Sequence, residues 1–178
     1  MDAIEMLSGD HREVEGLFER YGATESVPER QAIVGVLSRD LTKHAALEEE
    51  MLYPLMTRLA PYVDLDMERR LSLHADIKRT LVVLSGLSGI DQATDRLIGT
   101  LREQVGAHAQ TDEESLLPRL RNLMDQQARD ELGEVLLAAR EIAPEQVRIR
   151  TPIDRPNLAL TIPIATFCDR LVVGRGVG

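Results

Sequence analysis

Two segments of the chain repeat one arrangement of histidine and carboxylate residues. The first, HAALEEEMLYP, begins at His44, and the second, HAQTDEESLLP, begins at His108. In each segment a carboxylate follows the histidine by four residues, at Glu48 and at Asp112. Residues four apart on a helix lie on the same face, so each imidazole and its carboxylate can point together into a helical core. Side chains of these two types are common metal ligands.

The other two histidines, His11 and His74, precede the repeated segments by 33 and 34 residues. The chain contains four histidines, so every one belongs to a twofold pattern of one histidine followed by a histidine–carboxylate pair. Internal repeats of this kind indicate a duplicated structural unit. We interpret the two copies as two matching sets of ligands that neighbouring helices direct at one place.

The residue types restrict the metal that such a site would bind. Imidazole and carboxylate ligands without thiolate suit iron or manganese, and zinc also accepts them. Two carboxylates that bridge the ions hold them about 3.5–4 Å apart, and the carboxylates would be costly to bury without cations. The pattern therefore predicts two metal ions. The predicted ligands are His11, His44, Glu48, His74, His108 and Asp112.

Several alternatives remain open at the level of sequence. Glu113 could replace the shorter Asp112 as the second bridging carboxylate. Glu15 stands four residues after His11 and is a further ligand, an acceptor behind a ligand, or a half-buried polar residue. The histidines could also pack in a metal-free bundle. The carboxylates beside the predicted ligands are interpreted as solvated, and they are Glu49, Glu50, Glu113 and Glu114.

The elements that must position these residues are helices. Aromatic residues make up 3% of the chain and Trp is absent, which favours an all-α fold. Apolar residues at helical spacing predict helices over about 3–21, 28–60, 65–85, 92–124 and 128–142. Pro54 and Pro118 are predicted to kink the second and fourth helices. Short loops predict an antiparallel up-down four-helix bundle within residues 1–143, with an extra C-terminal helix after it.

Residues 144–178 have a different composition. Four prolines lie between Pro144 and Pro163, and Val, Ile and Thr replace the earlier mixture of Ala, Leu and Glu. We predict an extended Pro-containing C-terminal arm with a short helix at about 165–173. The stretch LALTIPIATF needs burial, either against the bundle or on a second copy. Homodimerisation through exchange of the arm is the favoured alternative.

Composition excludes several classes of protein. A net charge of −9 argues against a nucleic-acid partner, because no face readily supplies the excess of cations that phosphates require. The single Cys168 forms no intramolecular disulfide and fits a reducing cytoplasm. The first residues lack the pattern of a signal peptide, and no apolar run predicts a membrane span. We therefore expect a cytoplasmic protein with no membrane partner.

At these residues the chain resembles the hemerythrin-like (HHE cation-binding) family of four-helix diiron proteins. The matching motifs are DHREVEGLF around His11, the two repeated segments and the lone His74, over residues 1–142. The resemblance implies that the six residues named above bind two iron ions, Fe²⁺ or Fe³⁺, joined by an oxo or hydroxo bridge. Manganese or zinc fits this resemblance less well than iron.

The chain departs from the oxygen-carrying hemerythrins at one histidine. Those proteins have a second histidine on the third helix, whereas the positions four residues before and after His74 hold Arg70 and Lys78. The resemblance therefore implies a small diatomic or peroxide ligand (oxygen, peroxide or nitric oxide) in sensing, storage or stress defence rather than reversible oxygen carriage. The alternatives are a metal-free helical interaction module and a catalase-like diiron enzyme that disproportionates hydrogen peroxide.

Overall fold

A computed structural model describes residues 1–62, 65–87, 89–147 and 157–175 of the chain. All regular elements among these residues are helical, which confirms the predicted all-α class. Within the same ranges, no helix combines the length and apolar character needed to cross a membrane. In chain order the helices are α1 (Ala3–Ala23), α2 (Val27–Leu47), α3 (Tyr53–Leu59), α4 (Met67–Ser85), α5 (Gln92–Thr111), α6 (Leu117–Leu123), α7 (Gln126–Ile142) and α8 (Leu158–Arg175).

Four of the helices begin at a polar side chain that accepts a hydrogen bond from the first turn. Asp2 caps α1, Ser26 caps α2, Asp91 caps α5 and Asp125 caps α7. Such caps satisfy backbone N–H groups that have no partner inside the helix, and each stabilises it by about 1 kcal/mol. The predicted helix bounds were accurate to within a few residues because these caps and the apolar spacing agree.

The predicted proline kinks take the form of two π turns. The turn π1 (Glu48–Leu52) joins α2 to α3, and π2 (Asp112–Leu116) joins α5 to α6. Each turn closes with a hydrogen bond across five residues, from the N–H of Tyr53 or Leu117. Proline follows in each case and cannot donate to the carbonyl four residues earlier, so a wider turn relieves the conflict. Both π turns begin at a predicted bridging carboxylate.

The helices pack around two separate apolar clusters. α1 lies against α2 and α5, and α4 lies against the same two helices, as in a helical bundle. One cluster contains Leu7, Leu47 and Leu116, and the other contains Leu41 and Val105. α7 packs against α1, so closely that a β-carbon at position 133 would overlap the carbonyl oxygen of Met1. The fifth predicted helix is therefore an integral part of the core.

The C-terminal segment differs from its prediction. The extended conformation was wrong for Leu158–Arg175, which form one helix that contains and exceeds the predicted short one; residues 148–156 lie outside the described residues. Pro163 sits on the exposed face of α8, where water can solvate the carbonyl that it leaves unbonded. Among the side chains of α8 that the structure describes, the buried ones form a helical stripe, namely Leu160, Ile164, Phe167 and Cys168. Alternation of apolar residues from Leu158 to Ile164 obscured this stripe in the sequence.

α8 buries this stripe on its own chain, against α7, α3 and π1. Replacement of Phe167, which is 1% exposed, by Ala should therefore lower the free energy of unfolding by about 3–5 kcal/mol. Ile162→Ala is the control, because Ile162 is 59% exposed and its loss should cost less than about 0.5 kcal/mol. Denaturant unfolding of the full chain measures both, and equal effects would contradict this packing.

Candidate metal centre

The four histidines and both repeated carboxylates form one buried layer across the bundle. Along α1, His11 lies between Leu7 of one apolar cluster and Val14 of the other, and His44 lies likewise between Leu41 and Leu47. The six side chains are at most 8% exposed. The layer therefore separates the two clusters at the level where both π turns begin.

Four of the six residues converge on one point. His11, His44, Glu48 and His108 each offer a ligand atom, and these atoms lie within 4.8 Å of one another. Nε2 of His44 is 3.2 Å from Nε2 of His108 and 3.2 Å from Oε1 of Glu48. Three imidazoles and a carboxylate at this separation form a set of donors that a metal ion could bind.

His74 joins the same group through the other oxygen of Glu48. Its Nε2 lies 3.1 Å from Glu48 Oε2, and the His74 ring is 4.6 Å from that of His108, centroid to centroid. The hydroxyl of Tyr53 donates to Glu48 Oε2 over 3.0 Å, and its ring stacks on His74. Sequence reasoning missed Tyr53, although its place nine residues after His44 puts it at the end of π1.

The sixth predicted ligand, Asp112, is buried beside this group but faces Arg70. One of its oxygens, Oδ1, pairs with the Arg70 guanidinium, and Oδ2 has no hydrogen-bond partner among the described residues. The side chain of Glu113 is 47% exposed, and its Oε1 lies 2.9 Å from Nδ1 of His11. Glu15 lies at the surface, paired with Arg102. Asp112 therefore occupies the inner position and Glu113 an outer one.

The buried polar atoms indicate that a cation fits the centre. His11 Nε2, Glu48 Oε1, His108 Nδ1 and Asp112 Oδ2 have no hydrogen-bond partner among the described residues. Buried polar atoms are almost always paired, because an unpaired one costs about 1–3 kcal/mol. The atoms of His11 and Glu48 belong to residues that meet at the convergence point, so one ion there would serve both.

Three histidines are oriented by carboxylates behind them. Nδ1 of His44 lies 3.0 Å from Asp10, which also receives a hydrogen bond from Arg140 of α7. Nδ1 of His74 lies 2.9 Å from Glu49, and His11 has the contact with Glu113 described above. Engaged Nδ1 atoms direct the Nε2 atoms inward, and this is the usual support of metal-bound histidine.

The solvated position predicted for Glu50 was wrong, since Glu50 is 8% exposed and accepts a hydrogen bond from the N–H of Asn157. The solvated position predicted for Glu49 was wrong as well. Its side chain is 13% exposed and lies between His74 and Lys78, with Nζ 2.6 Å from Oε2. The wider π turn changes the angle between successive side chains, so Glu48 and its neighbour both turn toward α4. Helical periodicity alone could not reveal this, but the lysine four residues after His74 was a signal.

The pKa values of the histidines shift in two directions, raised at His44 and His74 and lowered at His11 and His108. Burial disfavours the charged ring and lowers the pKa of each. At His44 the carboxylates of Glu48 and Asp10 outweigh burial and raise the pKa to about 10. Burial dominates at His108, whose pKa lies well below its usual range. One shared carboxylate cannot balance four charged rings, so neutral rings with free lone pairs are available to a metal.

A cavity of about 260 Å³ reaches this centre from the surface. Its wall includes His11, His44 and His108, and it passes the apolar side chains of Val14 and Val105. Pockets for larger organic ligands have volumes of about 300–1,000 Å³. The cavity is therefore suited to a small molecule that approaches the three imidazoles directly.

Comparison with known proteins supports the same type of centre. Residues 2–120 match the family model of the hemerythrin HHE cation binding domain. A DNA nickase of Nostoc sp. is 24% identical over 140 residues, which are 79% of this chain and 39% of that protein. The chain thus spans about two fifths of the length of this curated relative. No solved structure matches the chain.

The contact between Asp10 and His44 leads to a testable prediction. Asp10→Asn keeps the size of the side chain but removes the charge that orients His44, so metal affinity should fall by about 10- to 100-fold. Asp40→Asn is the matched control, because Asp40 lines the same cavity and pairs with Arg39 instead. Competition with a chromophoric chelator measures both variants, and equal affinities would show that Asp10 does not support the centre.

Proposed function

The chain belongs to the hemerythrin HHE cation-binding family, and from this premise we propose that it is a non-heme diiron protein that binds or reacts with a small oxidant. The buried His/Glu group fits a metal-binding protein. The observation that carries the proposal is the convergence of unpartnered nitrogen and oxygen atoms at the centre of this group. A cation at that point would satisfy the unpartnered atoms of His11 and Glu48 together.

Iron is the proposed metal because of the donor set. The ligands are imidazoles and carboxylates, and Cys168 is buried in α8 rather than among them. Manganese and zinc also accept such donors and are the alternatives. The six residues would hold two ions, with His11 and His44 on one side, His74 on the other, His108 close to both, and Glu48 and Asp112 shared between them. When bound, iron would supply the electrons for reaction with oxygen, peroxide or nitric oxide.

The protein residues would then orient the metal ligands and shield the centre from water. Asp10, Glu49 and Glu113 hold the imidazoles with Nε2 inward, and the hydroxyl of Tyr53 fixes one oxygen of Glu48. The apolar clusters on both sides of the layer limit the access of water to the centre to the cavity described above. The cavity admits a small ligand, which is the reason to propose an oxidant rather than a large substrate.

Other features remain part of the proposal. They are the antiparallel up-down order of the four main helices, the division of the chain at residues 143 and 144, and a cytoplasmic location. Exchange of α8 between two copies would bury on a partner the stripe that here lies on the same chain. The mass of the full-length protein in solution tests this homodimer, and a monomer would exclude it.

The name of the Nostoc relative raises DNA nicking as another function. We do not extend it to this chain, since the similarity covers 39% of that protein. The net charge of −9 also makes a phosphate-binding surface unfavourable. A gel-shift assay with nicked and intact duplex tests the proposed absence of a nucleic-acid partner, and binding at physiological salt would contradict it.

Metal content and reactivity test the leading proposal. Protein from iron-replete cells should contain about two iron ions per chain, as two His for each ion and shared carboxylates imply. The reduced protein should change its optical spectrum on addition of oxygen, peroxide or nitric oxide. Evolution of oxygen from hydrogen peroxide over many turnovers would favour the catalase-like alternative. Folded protein that takes up no metal would contradict the diiron proposal and favour the metal-free helical interaction module.

The shared position of Glu48 predicts unequal effects of two substitutions. Glu48→Ala should lose both ions because this carboxylate faces His44 and His74 at once, whereas His74→Ala should lose about one. Glu114→Ala, an exposed carboxylate of the same repeat, should lose neither. Elemental analysis of the three proteins measures this, and a full complement in Glu48→Ala would refute the bridging role.

A further inference from the structure

Arg70 is an unusual residue because its whole side chain is buried, with 1% exposure. It lies one helical turn before His74 on α4 and extends toward π2. Its guanidinium pairs with Asp112 Oδ1, and its Nε donates to the carbonyl of Leu65 over 2.9 Å. The guanidinium also donates to the carbonyl of Thr111 and to the hydroxyl of Ser115.

These contacts make the two candidate metal positions unequal. On the side of His11 and His44, the donors converge with those of Glu48 and His108, and no cationic side chain contacts them directly among the described residues. On the side of His74, a permanent cation already neutralises Asp112. An ion entering there would meet the repulsion of the guanidinium and would have to share a carboxylate whose Oδ1 is engaged.

We propose that Arg70 competes with the second metal ion for Asp112, so that the centre fills in two unequal steps. This inference rests on the proposed metal-binding function and adds an order of loading to it. The first ion binds on the side of His11 and His44, where no competitor stands. The second binds on the side of His74 only as Asp112 exchanges its partner.

The two backbone contacts explain why Arg70 does not simply swing away. A buried guanidinium that loses its carboxylate would be an uncompensated charge, which is strongly unfavourable. The carbonyls of Leu65 and Thr111 hold it in place. Arg70 therefore stabilises the metal-free chain through Asp112 while it weakens the second metal position.

The test is an anaerobic titration of the full chain with Fe²⁺ in competition with a chelator. Wild-type protein should show one tight ion and a second bound at least about tenfold more weakly. Arg70→Gln should tighten the second ion by about 10- to 100-fold, the range that outer partners of metal ligands typically control, and change the first much less, because Asp112 Oδ2 accepts no hydrogen bond from Arg70 in the wild-type chain. The metal-free variant should also melt at a lower temperature than wild type, because its Asp112 has lost its cation.

Arg129→Gln is the matched control. Arg129 is also largely buried, pairs with Asp2 and donates to the carbonyl of Met124, but it lies away from the centre. It should reduce melting temperature without changing either binding step. Two equal affinities in wild-type protein would overturn the inference whether or not the variant folds. Unequal wild-type steps that Arg70→Gln leaves unchanged would also overturn it, whereas absence of any iron binding would refute the proposed function itself.

Discussion

A layer of buried polar side chains crosses the bundle between two apolar clusters, and much of the remaining structure compensates for its cost. Four imidazoles and two carboxylates in a core require partners or a cation. Asp10, Glu49 and Glu113 supply partners from behind the rings, and Arg70 supplies a cation at Asp112. The atoms left over define where a metal ion would be bound.

This dependence explains why the additional helix is more than an appendage. Arg140 of α7 reaches Asp10, which in turn holds His44. α8 packs against π1, the turn that carries Glu48. Elements outside the predicted four-helix bundle thus support the centre from two sides. The family match, by contrast, ends at residue 120, before either helix begins.

The predicted ligands could be found from sequence because they repeat, and repetition of a rare residue type indicates a shared role whatever the fold. The helices could be found because caps and apolar spacing agree. The partners of the ligands could not, since Arg70 and Asp10 do not repeat. Glu49 and Glu113 do repeat, but their contacts with His74 and His11 depend on packing between helices. The first part of α8 was missed because apolar residues alternate from Leu158 to Ile164 and concealed its helical stripe.

Each π turn is equivalent to one extra residue inserted into a continuous helix. An insertion rotates everything after it by about 100° relative to everything before it. In the second helical segment, Leu41 and His44 precede this change of phase, and Leu55 and Met56 follow it; all four are buried. Loss of a single residue from π1 would therefore expose to solvent either His44 or the distal pair Leu55 and Met56. The orientation of the metal ligands and that of the core residues beyond π1 are therefore coupled, and neither can change without the other.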